Sequence, residues 1–303
     1  MEAPCPQFDL RPWHCPTCGP GEEREIGLRG GKHHRLGLGV ETRIVRCGGC
    51  GLLYPNPFPV PRNPEGLYGD PEAYFSGHDV SEKWAAIRAW MEDLQRDAGR
   101  NLRILDVGSG RGEMVAGARE AGFSAEGLEF SVAMRRAAEE KYGVTLHPHS
   151  IEEAADLWPA GFDVVTLCAV LEHVRDPDSM IRAAARLLKP GGRIFLDVPN
   201  EPSLLTRVGN LLHRMRGNRA VINLSPTWAP FHVYGFNPRA LRAILGKHGF
   251  RVDRVRVWAH PFVPPAPGWR GRIAALAATG INHAANWVGL AGNLQLWATK
   301  RGK

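Results

Sequence analysis

Between residues 103 and 198 short apolar runs alternate with stretches whose apolar residues recur every third or fourth position. The runs at 103–107, 124–129, 162–170 and 193–198 predict β-strands, with a further short strand near 145–149; the intervening stretches predict helices at 111–121, 131–142, 151–157 and 177–188. Strict alternation of this kind predicts a parallel, doubly wound α/β sheet. Asp176 before Pro177 reads as an N-cap with proline at the first helical position, and Lys189-Pro190-Gly191-Gly192 reads as the turn ending that helix. Upstream, Trp84, Ile87, Met91 and Leu94 share one helical face, with Ser81 as the cap, and predict a helix over the sheet edge. Downstream, helices are predicted at 238–248 and about 270–288, and strands at 251–258 and 293–299.

Two later stretches carry unusual patterns. Residues 203–216 predict a basic amphipathic helix, with Leu204, Leu205, Val208, Leu211 and Leu212 beside Arg207, His213, Arg214 and Arg216. Such a helix suits either a lid packed on the body or a membrane surface. Ile273 to Thr299 holds no Asp, Glu, Lys or Arg, yet Asn282, His283, Asn286, Asn293 and Gln295 would lose water in a bilayer, and Gly280, Gly289 and Gly292 interrupt it. A helix packed on the body, or serving a dimer or lipid contact, fits better than a membrane span.

The most informative residues are Leu105-Asp106-Val107-Gly108-Ser109-Gly110-Arg111-Gly112-Glu113, a buried strand breaking into a glycine turn that opens a helix. Alternate glycines let backbone approach a ligand where side chains would collide, and the helix offers unpaired N–H groups. A dinucleotide fingerprint needs a small residue where this chain has Glu113, so a pyrophosphate would meet a carboxylate. Glu129 ends the next predicted strand, about 20 residues on, where a carboxylate accepts from both hydroxyls of a ribose. A nucleoside without phosphates is the ligand this combination favours.

Four of the six cysteines form Cys15-Pro16-Thr17-Cys18-Gly19 and Cys47-Gly48-Gly49-Cys50-Gly51, separated by 28 residues. Paired CxxC knuckles of this form place four thiolates around one tetrahedral Zn²⁺, a structural site with no open position. Two disulfides or a redox pair are the competing readings, the first disfavoured in a reducing compartment. Thr42-Arg43-Ile44-Val45-Arg46 reads as the strand entering the second knuckle. Pro55-Asn56-Pro57-Phe58-Pro59-Val60-Pro61 reads as a stiff connector, followed by a loop with Tyr68, Tyr74 and Phe75. Cys5 reads as an incidental thiol. The 303 residues carry a formal charge of +7, from arginine scattered without a block of like charges. That disfavours nucleic acid as partner without excluding it. The N-terminus has no apolar core suited to a signal peptide, which gives cytoplasmic residence as the expectation.

With Phe162-Asp163-Val164-Val165-Thr166-Leu167-Cys168-Ala169-Val170-Leu171-Glu172-His173-Val174 and Leu187-Leu188-Lys189-Pro190-Gly191-Gly192-Arg193-Ile194-Phe195-Leu196, the glycine turn and Glu129 segments stand in the order of the class I S-adenosylmethionine-dependent methyltransferases. The chain resembles that family, and its cysteine-rich start resembles bacterial members with an N-terminal zinc ribbon. The resemblance implies a Rossmann-like, seven-stranded sheet. It divides the chain into a ribbon and linker at 1–60 and a catalytic domain at 61–303, with a lid near 200–236 and a helical insert near 268–290.

The resemblance also implies S-adenosylmethionine as cofactor and S-adenosylhomocysteine as product. Asp106, Gly108, Ser109, Gly110 and Gly112 would surround its amino-acid and ribose end, Glu129 would take the ribose hydroxyls, and Phe130 would lie against adenine or in the core. His149, Ser150, Ile151 and Glu152 would border adenine, with Ser150 where the family commonly has an acid. Cys168 to His173 would open onto the transferred methyl. His173 and His232 are the general-base candidates, each with a structural role as the alternative. Trp228 and Tyr234 are weaker acceptor contacts. The expected partner is a small-molecule acceptor, sugar-like or a specialised metabolite, methylated on O, N or C; the chain could also form an oligomer. RNA methylation, or cofactor binding without turnover, are the alternatives.

Overall fold

A computed structural model describes residues 8–30, 41–62, 80–98, 101–224, 232–260, 262–263 and 268–302. Cys5, Tyr68, Tyr74, Phe75, Trp228 and the side chain of Ser81 lie outside the described residues.

The N-terminal part contains β1 (Phe8–Arg11), β2 (Glu23–Arg29), β3 (Thr42–Cys47), β4 (Leu53–Pro55) and β5 (Phe58–Pro61). β2, β3 and β4 form an antiparallel sheet, while β5 pairs antiparallel with β1. The proline-rich stretch expected as a connector is therefore partly a strand. Its prolines are tolerated because a two-stranded ribbon leaves edges where no N–H is required.

The larger part follows with α1 (Val80–Ala98), β6 (Arg103–Val107), α2 (Glu113–Glu120), β7 (Ser124–Leu128), α3 (Val132–Tyr142), α4 (Ile151–Leu157), β8 (Phe162–Cys168), α5 (Pro177–Leu187) and β9 (Leu188–Pro199). It ends with α6 (Leu204–Met215), α7 (Pro238–Lys247), β10 (Phe250–Trp258), α8 (Trp269–Val288) and β11 (Asn293–Lys300). The strands form one sheet in the order β10-β11-β9-β8-β6-β7, parallel through β9, β8, β6 and β7 and antiparallel at β11. Alternate strand residues supply two cores. Ile104 and Val164 face α1, α2 and α3, whereas Leu105 and Val165 face α4, α5 and α7.

Three expectations change in detail. The predicted strand at 145–149 makes only a bridge, His147 to Leu128, because the chain reaches the cap of α4 at Ser150 three residues later, too soon for a longer ladder. β9 begins at Leu188, so the Lys189-Pro190-Gly191-Gly192 turn lies within its irregular start, with Gly191 at φ 77°. And α1 does not cover an edge: Trp90 stacks on Trp297 and meets Phe195, across strands inside the sheet. The Asp176 cap on α5 is present, its carboxylate accepting from the Ser179 amide at 3.0 Å. None of the described helices is long and apolar enough to cross a membrane.

The two parts share a core. Cys15, Cys47, Cys50, Tyr54 and Phe58 are buried with Tyr234 and Phe236 in the cluster that underlies α5 and α7. Backbone pairs fasten them as well: Leu28 exchanges bonds with Arg219 and Val221, and Leu53 with Gly235. Asn237 caps α7 through its Oδ1 and donates from Nδ2 to the Gly51 carbonyl at 2.8 Å, tying the second knuckle to a helix start.

Candidate active site

The strand β6 delivers Asp106 and then a turn with three left-handed residues, Gly108, Gly110 and Gly112 at φ 70°, 56° and 78°. Glycine is required there on two grounds. A side chain would be strained in that conformation, and a Cβ on Gly108 would stand 2.6 Å from Val170. The turn is pinned to the end of β7, because Leu128 O accepts from the amides of both Gly108 and Ser109 at 2.9 Å. Gly127 permits this approach: a Cβ there would meet Ser109 Oγ at 2.3 Å. Asp106 is buried beneath the turn, its Oδ1 accepting from Thr166 Oγ1 at 2.5 Å.

Glu129 spans the mouth of this turn. Its Oε2 accepts from the Gly110 amide at 2.9 Å and its Oε1 from the Ser131 amide at 2.8 Å. Burial raises its pKa above the ordinary carboxylate value, against the opposing pull of those two amides. A carboxylate oxygen has two lone pairs, so each can accept a further hydroxyl while the backbone bond persists. Phe130 follows with 49% of its surface exposed, which removes the core alternative for its ring.

Glu113 opens α2, fully buried, with Oε1 accepting from Arg111 Nε at 3.0 Å. The positive end of that helix thus faces an internal carboxylate. Arg111 Nη2 also lies 2.9 Å from the same oxygen, and this buried pair fills the position where a dinucleotide turn needs a small residue.

Ser150 and Ile151 sit at the start of α4. The Ser150 side chain is engaged in a capping box with Glu153, and Ile151 is buried in the core. Cys168 ends β8 beside the β6 strand, half-buried.

Beyond β8, His173 and His232 come together, ring centroids 4.8 Å apart and nearly perpendicular. Their ring nitrogens and the Glu172 carboxylate lie within 4.8 Å of one another, a spacing that a shared proton or a cation could bridge. Glu172 is only 1% exposed, and neither of its oxygens bonds to another described residue. Burial, aided by the charges of Asp197 and Glu201, pushes its pKa up to about 8. Its contribution to stability is full below the usual 4.5 and is lost as pH rises toward about 8. Melting curves should accordingly show the wild type weakening over that interval and Glu172→Gln removing most of the slope.

Sequence patterns gave no sign of Arg29. From the end of β2 this fully buried guanidinium donates through Nη1 to Leu224 O at 2.9 Å and to the carbonyl of His232. Burial lowers its pKa to about 10, with Glu201 as the opposing charge. Glu201 in turn accepts from the Leu224 amide and Asn223 Nδ2, each at 2.9 Å. Arg29 and Glu201 fix both ends of the segment that carries His232. Arg29→Met would leave the Leu224 and His232 carbonyls without this donor and should cost about 2–6 kcal/mol in urea unfolding. Tyr234 also differs from expectation. Its hydroxyl accepts from Trp13 Nε1 at 2.8 Å and donates to Arg175 O at 3.0 Å, so it braces the two parts and faces no acceptor space.

The four knuckle cysteines converge as well, their sulfurs within 4.8 Å of one another. The knuckles match: Gly19 N bonds to Cys15 O at 2.8 Å and Gly51 N to Cys47 O at 2.9 Å, both glycines being left-handed. A hydrogen bond from Cys50, which outweighs burial, together with the Cys18 and Thr17 amides, pulls the Cys15 thiol down to about 5. Such crowded thiols suit a tetrahedral thiophilic cation.

A family profile described as a methyltransferase domain matches residues 77–255. The chain belongs to this methyltransferase domain family. A ubiquinone biosynthesis O-methyltransferase of Sodalis glossinidius is 39% identical over 113 residues, 35% of this chain and 45% of the relative. Its counterpart from Dechloromonas aromatica is 39% identical over 138 residues, 43% of this chain and 57% of the relative. The chain thus spans about half the length of the curated relatives it matches. Among solved structures, a SAM-dependent methyltransferase from Archaeoglobus fulgidus shares the fold with a TM-score of 0.52 at 20% identity, covering 76% of this chain and 97% of that one. In this methyltransferase domain the glycine turn, Glu129 and the histidine pair all lie at the carboxyl ends of the parallel strands, where open α/β sheets bind ligands.

Proposed function

We propose that the chain binds S-adenosylmethionine at the glycine turn and transfers its methyl group to a hydroxyl of a small-molecule acceptor. The observation that carries this reading is Glu129: a buried carboxylate across a glycine turn suits a ribose, while the Arg111–Glu113 pair stands where a dinucleotide turn needs a small residue. When bound, the cofactor supplies an electrophilic methyl on a sulfonium.

The protein's own work is alignment, water exclusion and proton removal. Gly108, Ser109, Gly110 and Gly112 let the backbone approach the ribose and amino-acid end, with Asp106 beneath, and Glu129 accepts from the ribose hydroxyls. Phe130 offers an exposed ring to the adenine, beside the backbone of Ser150 and Ile151. Cys168 borders the methyl-bearing end. His232, held by its carbonyl on Arg29 and with Nδ1 3.9 Å from Glu201 Oε1, takes the acceptor proton, and His173 orients it. A hydroxyl needs such a base, and the names of the relatives, O-methyltransferases, favour oxygen over nitrogen or carbon. His232→Ala should lower kcat by about 10²-fold or more while leaving cofactor affinity near wild type. An unchanged kcat would move the base elsewhere.

Cys15, Cys18, Cys47 and Cys50 hold one Zn²⁺ in this reading. With four protein ligands the ion organises the N-terminal part and takes no part in the reaction. The deciding experiment incubates the protein with methyl-labelled cofactor and separate pools of hydroxylated metabolites and RNA. Label in a small molecule supports the proposal. Label in RNA alone, or binding with no product in any pool, overturns it.

A further inference from the structure

Helices α6 and α8 pack against each other and turn apolar faces outward. No residue of α6 is fully buried; Gly209 faces the body, since a Cβ there would meet Ile222 at 2.4 Å, while Leu205, Leu211, Leu212 and Met215 are exposed. On α8 the exposed residues Trp269, Ile273, Leu276 and Trp287 follow heptad-like spacing along one stripe, and Trp287 is 88% exposed. Scattered exposed hydrophobics are ordinary, but two adjacent helices with such stripes form a patch that asks for a partner.

Charge identifies the partner. From Pro202 to Lys303 the chain has fifteen Lys and Arg residues and one acidic residue, Asp253. On and beside the patch stand Arg207, Arg214 and Arg216 of the α6 region and Arg270 and Arg272 of α8, with no acid on either helix. A second copy docking patch to patch would bring arginine against arginine with nothing to neutralise it. RNA would supply phosphates but no apolar phase for the leucines. A bilayer rich in anionic lipid supplies both, acyl chains for the leucines and tryptophans and phosphates for the arginines. We propose that the α6/α8 face docks this protein on an anionic membrane surface, lying on the bilayer without crossing it.

Vesicle co-sedimentation of the full chain tests this, using phosphatidylcholine vesicles with and without phosphatidylglycerol. Binding should require phosphatidylglycerol and weaken with salt. The pair Arg214→Gln with Arg270→Gln should reduce the partition coefficient about thirtyfold, at the usual contribution of each arginine near an anionic surface. Leu211→Glu with Leu276→Glu should abolish binding. Both pairs change exposed residues and should keep the wild-type melting temperature. No binding to phosphatidylglycerol vesicles, or equal binding by wild type and both variants, overturns the proposal. So does a dimer dissolved by the leucine pair without vesicle binding, or RNA binding weakened by the arginine pair without vesicle binding.

Discussion

Cys47→Ser is expected to release the metal from the four-thiolate site and to lower the melting temperature of the whole chain. Structural zinc contributes about 10–16 kcal/mol in small zinc-binding peptides, as much as the entire stability of a typical domain at about 5–15 kcal/mol. The loss cannot stay local here. Cys15, Cys47 and Cys50 are buried in one cluster with Tyr234, Phe236 and the α7 residues Leu241 and Ile244, and Gly51 holds the cap of α7. A loss of at least about 4 kcal/mol should lower the transition by roughly 6 °C or more. Metal analysis and calorimetry check this together. The expected result is about one zinc per wild-type chain, little in the variant, and one transition at a lower temperature. Full zinc retention by Cys47→Ser would contradict the four-thiolate assignment; zinc loss with an unchanged main transition would contradict the shared core.

The second large effect concerns Glu129→Ala. Hydrogen bonds to a charged group contribute about 1.5–3 kcal/mol each, so losing two to a ribose weakens cofactor binding at least about a hundredfold. The same carboxylate pins the Gly110 amide and the Ser131 cap, so the variant also loosens the turn. Glu129→Gln, which keeps one oxygen for those bonds, should lose less. Equal affinities of wild type and Glu129→Ala for S-adenosylhomocysteine would remove Glu129 from the site.

Much of this was readable from residue order alone, for physical reasons that also mark where reading stopped. β6, α4, α6 and α8 appear within about a residue of their expected bounds, because apolar periodicity is a local signal, as is the Asp176-Pro177 cap that starts α5. The knuckle cysteines were legible because their chemistry dictates spacing. The 145–149 segment pairs at His147 alone, and nothing in Thr145-Leu146-His147-Pro148-His149 marks how far the pairing runs. Long-range pairing left no local trace. Nothing in Glu23–Arg29 distinguishes Arg29 from a solvated arginine, yet it is fully buried against Leu224 and His232, nearly 200 positions away. Tyr234 looked like an acceptor contact because its aromatic neighbours resemble a pocket wall; its hydroxyl partners, Trp13 and Arg175, lie in other elements. Glu172 was visible within its triplet, but its burial with no bonding partner among the described residues depends on the fold around it.

Titration calorimetry with the wild-type protein reaches the central claim most directly, comparing S-adenosylhomocysteine with NAD and ATP. The geometry of Glu113 and Glu129 predicts a single site for the first ligand, weakened by Glu129→Ala, and no binding of the other two. Affinity for NAD or ATP with none for S-adenosylhomocysteine would contradict it.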